Sequence, residues 1–366
     1  MTAIGQSRPS RVGDNNSVET WTVAALKYDD PGKIGGKPWL PPVGTSLGAM
    51  RWLRKDMPWV KDYLGLPEIG TCLAPGIGGT VAWGGRIVAR MTETIAISRR
   101  LPHWRLEDGF LRSVQLGKSG VLPFSIVADD LALSVDASKS SRLEKLIAEA
   151  SDDGGQEARD VREAIVHHGL SKYNHLPHRE PKFEQSGKRR ILLIDQVKGD
   201  VSVPLSLGSA ASFKTMLDDA LASGAQCIVR THPDVIAGYR QGYLTEMVTG
   251  RKGITLSAEP VSAASILKVV DEVWTVASQF GFDALLRGVP VRCYAAPFYA
   301  GWGLTEDHMS KHAQAIVSKR RGMKRDIDQL TAAAFIDYPI YRDPQTRKAS
   351  SVFEAIDAIV AGRALL

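Results

Sequence analysis

Residues 191–195, Ile-Leu-Leu-Ile-Asp, decide the fold because they open a regular alternation of short apolar runs and longer amphipathic ones. The run is too short for a helix and too apolar for a surface loop, so it predicts a buried strand. Helical spacing follows at 211–222, an apolar run at 227–230 and helical spacing again at 264–270. A strand at 272–276, a helix at 280–286 and a strand at 289–294 complete the pattern. Strands that alternate with helices predict a parallel sheet with helices packed on its faces.

The same alternation stands upstream. Residues 80–83 read as a strand, 86–100 as a helix, and 104–106, 121–127 and 131–135 as strands. Helices are predicted at 141–150, with a start signal in Ser138 to Ser141, and at 157–168. Between the two series, 172–188 carries Pro177, Pro181, Gly187 and alternating charges, and reads as a linker. The predicted division is a flexible arm at 1–40, an α/β domain at 41–180, a second at 188–345 and a C-terminal tail at 346–366. A final helix within that tail, at 352–366, is expected to cross back to the first domain. The fold class is therefore α/β, with two Rossmann-like domains facing a cleft.

A chain of 366 residues accommodates two such domains, and 44% hydrophobic with 23% charged residues is ordinary for a soluble enzyme. No apolar run reaches the ~18 residues that span a bilayer, and 1–19 lacks a signal-peptide core, so the expected location is cytoplasmic. Cys72, Cys227 and Cys293 have no metal-ligand spacing and predict buried thiols. His167, His168, His175 and His178 lack a third ligand at sensible spacing, and Gly76-Ile77-Gly78-Gly79 lacks the dinucleotide fingerprint; no metal or cofactor is expected. The net charge of +6 favours anionic partners. Its clusters, 188–190 and 319–325, are scattered, and each reads as a solvated face, so no nucleic acid is expected.

Five strings carry candidate chemistry. Glu-Asp-Gly-Phe-Leu-Arg-Ser at 107–113 places two carboxylates side by side, which an extended backbone would point to opposite faces. Asp-Gln-Val-Lys-Gly-Asp-Val-Ser at 195–202 puts Asp200 just beyond a strand end, beside Gln196, Gly199 and Ser202, where open α/β sheets line their ligand crevice. Taken alone, Asp200 reads more readily as the cap of a turn than as a chemical group. Thr-His-Pro-Asp at 231–234 holds His232 and Pro233 at another strand end. Ser278 and Gln279 open the helix that contains Asp283; they read both as an ordinary cap and as a phosphate site. Pro-Phe-Tyr-Ala-Gly-Trp-Gly at 297–303 offers Tyr299 and Trp302 as flat faces for a base or a sugar, with Gly301 allowing close approach.

In this order the five strings resemble the capsular-polysaccharide β-Kdo transferase family, where Kdo is 3-deoxy-D-manno-oct-2-ulosonic acid. The likeness extends from about residue 80 to about 344. It implies the glycosyltransferase architecture called GT-B, CMP-β-Kdo as donor, a Kdo-terminated or lipid-linked glycan as acceptor, and work within a capsule-assembly or export complex. It also implies a retaining reaction in which Asp200 is the nucleophile and the 107–113 string supplies the acid/base. Glu107 is the expected group there, with Asp108 a structural partner of Arg112, and with Ser113 beside them. His232 would meet the donor phosphate. Asp283 stands where the family usually has Glu. The family's larger members carry two transferase modules, and this chain has the length of one.

A nucleotide-sugar epimerase or another GT-B transferase, separable by a donor panel, is the competing enzyme reading. An inactive assembly scaffold is the non-enzymatic one, and intact Glu107, Asp200 and His232 speak against it. A basic chain acting on a lipid-linked acceptor is expected to lie on the inner membrane's cytoplasmic face. Arg51 to Lys61, with Trp52 and Trp59 as anchors, and Lys319 to Arg325 are the contacts the sequence suggests.

Overall fold

Two six-stranded sheets organise the chain, in a computed structural model that describes residues 36–365 apart from 152, 153, 185, 237 and 252. The arm expected at 1–40 lies largely outside the described residues. The strands are β1 (Leu47–Ala49), β2 (Ile69–Thr71), β3 (Gly79–Trp83), β4 (His103–Asp108), β5 (Ser125–Asp129), β6 (Arg190–Ile194), β7 (Gln226–Arg230), β8 (Ile254–Ser257), β9 (Glu272–Thr275), β10 (Val291–Cys293), β11 (Glu306–Asp307) and β12 (Ile340–Tyr341). The first sheet runs β12-β5-β4-β3-β1-β2 and the second β11-β10-β9-β6-β7-β8.

Every pairing in the second sheet is parallel. Its order places β6 centrally, with the chain winding to one side through β7 and β8 and to the other through β9, β10 and β11. That is a doubly wound sheet whose switch point lies between β6 and β9, the place where connections leave in opposite directions. The first sheet departs from expectation. β4, β3, β1 and β2 are parallel, but β5 is antiparallel to β4 and β12 to β5. The 109–124 connection contains only the short 3-10 turn Gly117–Ser119, and without a crossover helix β5 must return antiparallel.

The strand expected at 131–135 is a turn. Leu131 and Ala132 donate their amides to Asp129 Oδ1 at 2.8 and 3.0 Å, so the chain folds back at the end of β5. The segment then docks on the other half, where Ala137 N donates to Leu205 O at 2.9 Å and Ser206 Oγ to Val135 O at 3.2 Å.

One apolar core joins the two sheets. Leu111, Val127, Ile147 and Ile165 belong to the same buried cluster as Leu192, Ile228 and Phe282. Burying each such side chain stabilises the fold by about 1.5–3 kcal/mol. The return crossing comes earlier than the final helix, because β12 already joins the first sheet. The helix Val352–Arg363 follows, started by a reciprocal Ser351–Glu354 capping box and seated through Val352, Ala355, Ile356 and Ile359.

The basic stretch 319–325 is not a solvated or lipid-facing patch as a whole. Arg320 and Arg321 both reach Glu144, at 2.6 and 2.7 Å, and the Arg321 and Glu144 side chains are buried. Arg325 donates to the carbonyls of Ile147 and Ala148. These arginines clamp the helix Arg142–Glu149 of the first half to the chain beyond the second sheet. Trp59 likewise turns inward, edge-on to Tyr63 and Trp83, while Trp52 stays exposed. Pro58 does break the expected amphipathic element, into Arg51–Asp56 and Val60–Tyr63. All three cysteines are buried and unpaired. Among the described residues no helix is long and apolar enough to cross a membrane.

Candidate active site

Glu107 and Asp108 end β4, and strand alternation separates them. Asp108 Oδ1 accepts from Arg112 Nε at 2.8 Å, and Arg112 Nη1 donates to Ser113 Oγ and Val121 O. Ser113 is fully buried and donates to Gln115 O. Asp108, Arg112 and Ser113 thus brace the loop from within. Gly109 is required there, because a Cβ would sit 2.0 Å from Ser125 Oγ.

Glu107 faces the other way. A Cβ built on Gly84 would lie 3.3 Å from its Oε1, so glycine leaves the carboxyl room on that side. Burial pushes the Glu107 carboxyl up to about 7; the neighbouring Asp108 and Asp200 carboxylates reinforce the shift, and Lys172 opposes it. Glu107 and Asp200 therefore feel one another's charge across the two halves. The adjoining backbone agrees, since a Cβ on Gly85 would stand 3.1 Å from Leu205 Cδ1 and 4.0 Å from Val201 Cγ2.

Asp200 sits in the loop after β6. Gly199 takes φ +81°, a left-handed conformation that suits glycine, and lets the chain turn so that Asp200 N donates to Val197 O at 3.1 Å. Oδ1 of Asp200 accepts from Ser202 N and Oγ at 2.9 and 2.8 Å, and its other oxygen has no donor among the described residues. Gln196 spans the switch point: its Oε1 accepts from Ala277 N at 2.9 Å and its Nε2 donates to Ser202 Oγ at 3.3 Å. Asp195, buried below, accepts from Leu244 N, Thr245 N and Thr245 Oγ1 and fixes the loop's root. The cap reading of Asp200 and the chemical one thus coexist on different oxygens.

His232 follows β7, the neighbour of β6, and Pro233 opens the short helix Pro233–Ile236. The Asp234 amide donates to His232 Nδ1 at 3.1 Å. That contact orients the ring, with Nδ1 turned back to the chain and Nε2 turned away from it. Ser278 Oγ accepts from Phe280 N at 3.2 Å, an ordinary cap, and Gln279 Nε2 reaches across to Phe110 O at 3.2 Å. Asp283 is buried on the helix Phe280–Leu286, and burial raises its carboxyl to about 7 against the pull of Arg287 and Lys172.

The 297–303 string does not offer its rings to a ligand. Tyr299 and Trp302 are both fully buried. Tyr299 donates to Ser278 O at 2.5 Å and Trp302 Nε1 to Phe298 O at 2.8 Å. Phe298 packs 4.8 Å from Phe110 and 5.0 Å from Phe282. Gly301 is held by its amide on Asp307 Oδ2 at 2.9 Å, and a Cβ there would meet Val317 at 2.9 Å. Apolar rings gain more from this shared core than from water, so the loop supports Ser278 from beneath instead of contacting substrate.

Lys172, read only as the start of a linker, belongs to the site. Its carbonyl accepts from Arg112 N at 3.2 Å and Ser113 N at 3.4 Å. Its charge lowers both the Glu107 and the Asp283 carboxyls. The only signal in the sequence was its place in Leu-Ser-Lys-Tyr-Asn, a polar string directly after a helix. A concavity of about 460 Å³, lined by Arg189, Trp274, Arg292 and His308 among others, shares no residue with this constellation.

Comparison with known proteins shows the family and the fold. Residues 80–185 and 178–341 match the family described as "Capsule polysaccharide biosynthesis protein". The chain is 40% identical over 290 residues to the "Capsule polysaccharide modification protein LipA" of Neisseria meningitidis serogroup A, a match covering 77% of this chain and 41% of that protein. It thus spans about two fifths of that relative's length. Its fold superposes on Thermosulfurimonas dismutans KpsC, beta Kdo 2,4 transferase, with a TM-score of 0.78 at 33% identity, over 86% of this chain and 98% of that one. For the beta Kdo 2,7 transferase of the same KpsC the TM-score is 0.66 at 25% identity, over 88% and 99%. A family match over most of the chain, together with a common fold, places this protein in the capsule polysaccharide biosynthesis family.

Proposed function

We propose that the protein is a retaining β-Kdo glycosyltransferase that moves Kdo from CMP-β-Kdo to a glycan or glycolipid acceptor, using the crevice between the two α/β halves in the GT-B manner. The observation that carries this reading is that Glu107, at the end of β4 in the first sheet and with its carboxyl near 7, lies close enough to Asp200, just beyond β6 in the second, to feel its charge. A carboxyl that titrates near neutrality can give and take a proton at working pH, and a second carboxylate nearby supplies a nucleophile.

In the first step the unengaged oxygen of Asp200 bonds to the anomeric carbon as its bond to the phosphate breaks and CMP leaves with the electron pair. His232 and the Ser278–Gln279 turn lie on loops at the same end of the second sheet and serve the leaving phosphate. In the second step the acceptor oxygen displaces Asp200 and passes its proton to Glu107. Two inversions give net retention. Both T. dismutans relatives are Kdo transferases by description, and the greater likeness to the 2,4 enzyme makes a 2,4 linkage the expected product. A soluble nucleotide-activated donor assigns the reaction to the cytoplasm.

Incubation with CMP-β-Kdo generated in situ and synthetic Kdo-terminated acceptors tests this, with NMR reading anomeric configuration and linkage. A β-linked product is expected. An α-linked product, or turnover of a uridine or guanosine donor in its place, would overturn the reading.

A further inference from the structure

The helix Ile87–Ser98 is built inside out. It packs on β3 and β4 through small residues, Ala89, Thr92 and Ala96, while its large apolar side chains face solvent. Ile87 is 67% exposed, Met91 49% and Ile97 70%, and Leu73, on the loop beside the helix end, is 69% exposed. Arg99 fastens that loop to the helix through Cys72 O at 2.6 Å and Ala74 O at 2.8 Å. Ile87, Met91 and Val88 fall within one arc of the helix, since residues three and four apart share a face. Scattered single apolar residues need no explanation, but a contiguous outward row marks an interaction surface.

Charge selects the partner. Arg86, Arg90 and Arg100 are exposed around this row. The one acidic residue of the helix, Glu93, is half-buried and paired with Arg105. A second copy meeting this face by twofold symmetry would set those arginines against their own equivalents, which costs several kcal/mol of repulsion. A surface of anionic headgroups over acyl chains satisfies both the arginines and the apolar row.

We propose that this outward face docks on an anionic lipid bilayer and holds the crevice at the membrane. Gly84 and Gly85, the residues beside Glu107 and Leu205, lead directly into the helix, so docking brings the Glu107 side of the crevice within reach of a lipid-borne acceptor. The lipid contact stands on the surface alone; only this acceptor geometry rests on the transferase reading.

Co-sedimentation of the intact chain with vesicles of phosphatidylcholine alone, and of phosphatidylcholine mixed with phosphatidylglycerol, tests the proposal without any sugar donor. Binding to the mixed vesicles only, released as salt rises, is expected. Two double variants, Ile87→Ser with Met91→Ser and Arg86→Ser with Arg90→Ser, should each weaken it roughly tenfold or more while melting like the parent and turning over a soluble acceptor as before. Absence of binding by the parent, undiminished binding by both variants, or a concentration-dependent dimer lost in the same variants would overturn the proposal. In the last case the face is a contact between copies.

Discussion

Two loops of the second sheet, 195–202 after β6 and 297–303 after β10, look alike in position and behave in opposite ways. The later one holds the aromatics and glycines that suggest ligand contact, yet Tyr299 and Trp302 are fully buried and Gly301 makes room for Val317 and Arg321. The earlier one has no aromatic residue, and its polar side chains span the switch point while leaving one oxygen of Asp200 without a donor among the described residues. Position relative to the switch point, more than ring content, separates the loop proposed to do chemistry from one packed into the core. Beyond β10 a loop can fold under its neighbours, whereas beyond β6 it borders the crevice.

That contrast breaks first at Asp200. Asp200→Asn should lower turnover by roughly three orders of magnitude or more while leaving the melting temperature within a degree or two of the parent, since it removes a nucleophile and keeps the Ser202 hydrogen bonds. Retention of more than about a tenth of turnover would remove Asp200 from the reaction.

Trp302→Ala should do the reverse. Truncating a buried Trp costs about 3–5 kcal/mol of stability, readable as a lower denaturant midpoint, and the protein that remains folded should keep most of its activity per molecule. If instead donor affinity collapses at unchanged stability, the 297–303 loop touches substrate after all.

Glu107 gives an effect of intermediate size with a pH signature. Its folded carboxyl, near 7, lies above an unfolded value near 4.5, so the folded state binds more protons between these values. Stability from this group is therefore greatest below the lower value and falls as pH rises through the window. Glu107→Gln should stabilise the protein by about 1–3 kcal/mol above neutrality and not at all near pH 4. It should also lower kcat by roughly two to four orders of magnitude and flatten the rise of activity with pH around 7. Tyr299→Phe is the mildest probe: losing one hydrogen bond to Ser278 O should cost about 1 kcal/mol in a melt, with donor KM unchanged.

In the second sheet β6, β7, β9 and β10 were legible as short apolar runs, as in Leu192, Leu193 and Ile228, whereas the edge strand β8, Ile-Thr-Leu-Ser with Leu256 exposed, was not. β1, β2, β11 and β12 were not legible, being two or three residues long with no room for a period. Residues 131–135 alternate like a strand, but Asp129 captures their amides and the period is spent on a turn. In the site, Glu107, Asp200 and Gln196 were legible as strings at strand ends. Lys172 was not, because it meets Glu107 and Asp283 only through the fold. The basic stretch 319–325 misled for the same reason: nothing local shows that Glu144 is the partner of Arg320 and Arg321.

The central claim, that Asp200 traps the sugar opposite Glu107, is met most directly by mass spectrometry of the protein incubated with CMP-β-Kdo and no acceptor. The account expects a mass gain of one Kdo residue, mapped to the peptide containing Asp200, absent from Asp200→Asn and discharged when acceptor is added. Transfer to acceptor with β product but no adduct on that peptide, in the parent and in a Glu107→Gln protein slowed enough to accumulate one, would contradict it.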